Sequence, residues 1–92
     1  MKFRVSIPPM VEASLKNLHP ELKKKIKEAL LAIEKEPYMG KPLQGKLSGL
    51  RSFRAMHYRI VYQIVLQNRS IEVIDIGPRK AIYERIFHWR LP

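Results

Sequence analysis

Phe3, Val5 and Ile7 alternate with Lys2, Arg4 and Ser6, and this period of two predicts a half-buried strand over Lys2 to Ile7. Pro8-Pro9 ends it, and Pro9 suits the first turn of a helix, where no amide donor is needed. Val11, Leu15 and Leu18 then recur at i, i+4 and i+7, the spacing of a short amphipathic helix. His19-Pro20 breaks that helix and opens a longer one. Its stripe is Leu22, Ile26, Ala29, Leu30 and Ile33, and most of its lysines lie off the stripe. Pro37 ends it, because the residue before a proline avoids helical geometry.

Gly40, Pro42, Gly45 and Gly49 mark a loop from Tyr38 to about Gly49. Leu50 to Ala55 reads as a strand and Met56-His57 as a tight turn. Tyr58 to Leu66 is the clearest strand, with Tyr58, Ile60, Tyr62, Ile64 and Leu66 facing one way. Gln67-Asn68-Arg69 turns the chain again. Ile71 to Ile76 is β-branched and nearly continuous, the pattern of a central strand. After Gly77-Pro78, Arg79 to Trp89 is compatible with a closing helix that turns Ile82 and Ile86 inward, with Trp89 a further candidate. The expected fold is α+β in the order β-α-α-β-β-β with a closing α. It is a small, twisted, mostly antiparallel sheet with a helical hairpin on one face and the other face left for binding. Residues 1–92 are expected to form a single domain, since chains divide only at greater length.

Charge narrows the function. The formal net charge is +10, and a compact domain that repels itself this strongly needs an anionic partner: nucleic acid, a membrane surface or an acidic protein. No acidic residue lies between Pro37 and Ile71, whereas Lys41, Lys46, Arg51, Arg54, Arg59 and Arg69 all do. Lys23, Lys24, Lys25 and Lys27, flanked by Glu21 and Glu28, read instead as a solvated helix face. Cysteine is absent, which excludes disulfides and thiolate metal sites and suits a reducing cytosol. The leading apolar stretch is too short and too charged for a signal peptide, and no apolar run approaches the ~20 residues of a membrane span. A soluble, unprocessed, cytoplasmic chain with no membrane role is expected.

Most catalytic classes lack their residues. There is no glycine-rich phosphate loop and no Walker lysine. His19, His57 and His88 are scattered, and only His88 has a carboxylate at helical spacing, Glu84, so neither a metal site nor a cofactor is expected. Glu72 and Asp75 face opposite ways in one regular strand and do not make a catalytic carboxylate pair. What remains is arginine, lysine, tyrosine and histidine, a set suited to a phosphodiester.

Three segments combine in order and spacing: L-Q-G-K-L-S-G-L-R from Leu43 to Arg51, Y-R-I-V-Y from Tyr58 to Tyr62, and I-G-P-R-K-A-I-Y from Ile76 to Tyr83. Over nearly the whole chain they resemble the RelE/ParE toxins of type II toxin–antitoxin systems. The resemblance implies a microbial, metal-independent mRNA interferase that enters the ribosomal A site. It also implies an acidic cognate antitoxin that wraps the toxin in a hetero-oligomer. Members with this fold also include toxins that act on DNA gyrase without cutting RNA, and a plain RNA-binding module is a third reading.

For RNA cleavage the resemblance implies that Arg59 stabilises the phosphate. Arg79 stabilises the transition state or delivers a proton, and Tyr83 stacks on a base or adjusts proton transfer. Arg54 occupies, with Arg51, the strand where RelE enzymes place lysines. Lys46, Arg51, Lys80 and His57 are the expected RNA contacts. Arginine, with a pKa above about 12, is a poor general base, which leaves Tyr83, His57, Lys46 and Lys80 as candidates for that role. Plainer roles stand beside these: Arg59 paired with Glu72, Arg79 paired with Asp75, Tyr58 and Tyr62 as core, His57 as a turn residue, and His88 and Trp89 pinning the tail.

Overall fold

The computed structural model describes residues 3–90. It contains strands β1 (Arg4–Ser6), β2 (Lys41–Pro42), β3 (Arg51–Ala55), β4 (Tyr58–Val65) and β5 (Ser70–Pro78), and helices α1 (Pro9–Leu15), α2 (Pro20–Lys35) and α3 (Arg79–Arg90). Both hairpin helices open on a proline, as their sequences predict. The His19 side chain caps α2 by accepting the Glu21 amide at 3.1 Å. Leu22, Ile26, Ala29 and Ile33 form the buried stripe of α2, while Lys23, Lys24, Lys25 and Lys27 are exposed.

The five strands form one sheet in the order β1-β5-β4-β3-β2, with β1 parallel to β5 and every other pair antiparallel. The α+β arrangement of strand, helical hairpin, meander and closing helix is the one expected. The loop over 38–49 hides one further strand: β2 pairs Lys41 with Ser52 and Pro42 with Arg51. Two residues carry no readable period, and Pro42 is tolerated because an edge strand can dispense with an amide donor.

Two corrections concern the far side of the sheet. The hairpin α1–α2 packs over Ile60, Tyr62, Ile71, Val73 and Ile76 on one face. The other face is not left bare, because Leu50, Val61, Ile82 and Ile86 form a second core in which α3 is seated. Ile82 and Ile86 point inward as expected; the side chain of Trp89 lies outside the described residues. The second correction is a bulge. Val61 pairs with Asp75 but Tyr62 with Val73, so Ile74 is an extra residue in β5. That shift puts Asp75 on the face that carries Glu72, not on the opposite one.

Tyr62 ties the α2–β2 connection to the sheet. Its buried hydroxyl donates to the Pro37 carbonyl at 2.6 Å and accepts the Gly40 amide at 3.0 Å. A β-carbon at Gly40 would overlap that hydroxyl, which explains the glycine. Burial raises the Tyr62 phenol above its usual value of 10.0, partly opposed by the Gly40 amide and the Arg51 charge. Tyr62→Phe would strand a carbonyl and an amide and should cost roughly 1–3 kcal/mol in urea unfolding. The raised folded-state value means that stability is fully present below pH ~10 and declines above it, where the unfolded chain ionises first. Tyr62→Phe should lessen that alkaline decline.

Candidate nucleic-acid interface

The second sheet face positions the cations. Arg54 and Arg59 are direct cross-strand partners near the β3–β4 turn, and Ser52 pairs with Val61 on the same face. Opposed side chains in such a pair lie about 4.5–5.5 Å apart at Cβ, and like charges placed so are destabilising. Neither arginine has a carboxylate partner: among the described residues the ion pairs are Lys25–Glu28 and Arg85–Asp75. The Arg54 Nε donates to the Met56 carbonyl at 2.9 Å, which aims its guanidinium at the turn. Met56 itself has φ +56°, the left-handed region, so this turn carries backbone strain.

Helix α3 brings the rest. Gly77 pairs with Arg59 and Pro78 with Tyr58, so Arg79 and Lys80 start the helix beside the arginine pair. The Arg79 amide donates to the His57 carbonyl at 3.4 Å, fixing the helix start to the turn. Arg79 and Lys80 are exposed and no acid lies in this first turn, although a helix N-terminus disfavours cations. One turn on, the Tyr83 hydroxyl lies 2.8 Å from the Ser52 hydroxyl. Arg85 holds the helix down: its Nε and Nη2 donate to Asp75 Oδ2 at 2.9 and 2.8 Å. Gly77 makes room for it, since a β-carbon there would meet Arg85 Nη2 at 2.5 Å.

Arg54, Arg59, Arg79, Lys80 and Tyr83 are therefore gathered at one end of one sheet face, with exposed His57 at its border. Lys46 lies further along, its Nζ 5.3 Å from the Phe87 ring centroid. Arg51 is not part of the group. It pairs with Tyr62 in register, its Nη1 donates to the Tyr38 and Gly40 carbonyls at 3.1 and 2.6 Å, and its guanidinium covers the Tyr38 ring. The structure thus gives Arg51 a loop-bracing position on the other side of the sheet, away from the expected RNA contacts.

The plain pairings are not made either. Glu72 accepts from Gln63 at 2.9 Å instead of Arg59, and Asp75 is taken by Arg85 instead of Arg79. Tyr62 is core and Tyr58 is half-buried beside it. Ser52 and Phe87 were not singled out from sequence. Ser52 shares the strand phase of Arg54, two residues away, which was a usable signal; Phe87 follows Tyr83 at i+4.

No three of histidine, aspartate or glutamate converge among the described residues, and no helix is long and apolar enough to cross a membrane. An apolar groove of about 860 Å³ is lined by α1, Tyr58 and residues 74–78, and it includes none of Arg54, Arg59, Arg79 or Tyr83.

This fold matches solved toxins. The chain superposes with a TM-score of 0.76 on a RelBE toxin–antitoxin complex of Mycobacterium tuberculosis, at 25% identity over 86% of this chain and 100% of that one. An archaeal RelE–RelB complex of Pyrococcus horikoshii gives 0.74, also at 25% identity, over 88% of this chain and 99% of that one. A free RelE mutant of E. coli gives 0.78 at 20% identity over 99% of this chain and 100% of that one, a likeness of fold alone. In sequence, toxin RelE of M. tuberculosis is 44% identical over 45 residues, which span 49% of this chain and 46% of that protein. These place the chain among the small RelE-fold proteins. Residues 5–86 match the family described as ParE-like toxins of type II bacterial toxin–antitoxin systems, and the chain belongs to that family.

The arginine pair makes a physical prediction. Arg59→Gln relieves like-charge repulsion and should leave stability unchanged or raise it by about 0.2–1 kcal/mol at low salt, with the gain fading near 1 M salt. Urea unfolding at the two ionic strengths measures this; a loss above about 1 kcal/mol would mark Arg59 as structural.

Proposed function

We propose that this chain is a toxin that cleaves mRNA on the ribosome by attack of a 2′-hydroxyl on the adjacent phosphate. The observation that carries the reading is the cross-strand pair Arg54–Arg59, unpaired with any described carboxylate and bordered by Arg79, Lys80 and Tyr83. Two arginines opposite one another in cross-strand register are costly without an anion and favourable with one, because each offers a planar fork of donors to phosphate. As the bond from the 2′-oxygen to phosphorus forms and the bond to the 5′-oxygen breaks, negative charge grows on the phosphoryl oxygens. Fixed cations that need not reorganise stabilise that charge. Tyr83 supplies a ring for a base and a hydroxyl beside the reacting group.

Arg79→Ala should lower cleavage by about a hundredfold or more, the usual loss when one transition-state donor is removed. Primer extension on mRNA from translating extracts reads the cuts, with circular dichroism as the control for folding. Undiminished cleavage by a folded Arg79→Ala protein would remove Arg79 from the mechanism.

Two solved relatives are complexes with antitoxins, which supports an acidic cognate antitoxin as partner of this strongly basic chain in the cytoplasm. The ParE-like family match favours a second reading, a toxin directed at DNA gyrase. Expression that induces DNA-damage signalling while leaving mRNA intact would establish that reading in place of the first.

A further inference from the structure

The residue next to Arg54 in the site is a serine, and its environment is unusual. Ser52 is only 2% exposed, one of two buried polar residues among those described. Its hydroxyl lies 2.8 Å from the Tyr83 hydroxyl and has no other described hydrogen-bond partner. Either oxygen is able to donate, yet the surroundings are not symmetric. Tyr83 is half-buried at the edge of the cationic surface, whereas Ser52 is enclosed beneath it. If Tyr83 donated, the Ser52 hydrogen would be left buried without an acceptor, which is the costlier arrangement. That asymmetry assigns the donor role to Ser52, with the Tyr83 hydrogen directed away from Ser52 toward the open side of the site.

We infer that Ser52 is a positioning residue: it holds the Tyr83 hydroxyl as an outward hydrogen-bond donor to a phosphate oxygen of RNA lying across Arg54 and Arg59. The placement follows from the backbone. Ser52 and Arg54 are two residues apart on one strand face, about 7 Å, and Arg59 stands directly across from Arg54. A donor fixed there reaches the same phosphate that the guanidiniums grip. Burial also accounts for a neutral residue beside Arg54 on this face: a cation enclosed there would need a counter-charge, while a hydroxyl is satisfied by one hydrogen bond.

This inference rests on the cleavage reading, and a double-mutant cycle separates the two. Ser52→Ala should reduce kcat for mRNA cleavage about tenfold with the Kd for a short single-stranded RNA within twofold of the parent. Ser52→Thr, which keeps the hydroxyl, should restore most of the rate. Tyr83→Phe should cost the same in the parent and add nothing in the Ser52→Ala background. Urea midpoints of the same four proteins report the hydrogen bond itself, and the two single losses should fail to add. A parent rate in Ser52→Ala, or independent losses in the double variant, overturns the positioning role. Coupled midpoints in a parent protein that cuts no RNA would instead defeat the cleavage reading and reduce the Ser52–Tyr83 pair to packing.

Discussion

Three consecutive residues at the centre of the sheet, Ile60, Val61 and Tyr62, are each 0% exposed. Neighbours along a strand point to opposite faces, so such a run is stable only if both faces are covered. The helical hairpin covers one face and Leu50, Ile82 and Ile86 cover the other. Burial of Val61 is thus what seats α3, and α3 carries Arg79, Lys80 and Tyr83. The site depends on an apolar contact that contains none of its cations, though Tyr83 packs against it.

Seating the helix also required a local departure from regular pairing. The extra residue at Ile74 turns Asp75 onto the α3 face, where it receives two donors from Arg85 across the bare backbone of Gly77. That ion pair occupies the β5 carboxylate that lies closer in register to Arg59. Glu72 is similarly occupied by Gln63. Arg54 and Arg59 are left opposite one another in register without a described counter-ion, and like charges so placed disfavour each other.

Much of the architecture was legible from periodicity. The hairpin helices, their proline boundaries, the Met56-His57 turn and the two long strands all follow from local pattern and punctuation. The two-residue β2 did not, because no period exists over two residues. The second core also left a trace in the sequence. Val61 interrupts the polar phase of β4 between Arg59 and Gln63, and the continuous apolar run of β5 already asks for cover on both sides.

By itself the sequence determined the α+β order, the concentration of positive charge in an acid-free stretch and the residue types of the site. Those depend on composition and on spacing within single elements. The tertiary structure alone decided which cations meet. Register set Arg54 opposite Arg59, the bulge gave Asp75 to Arg85, and Arg51 was drawn to the Tyr38 and Gly40 carbonyls instead. Cross-strand register and helix docking are relations between segments distant in the chain, fixed by which apolar faces bury together, and no local pattern records them.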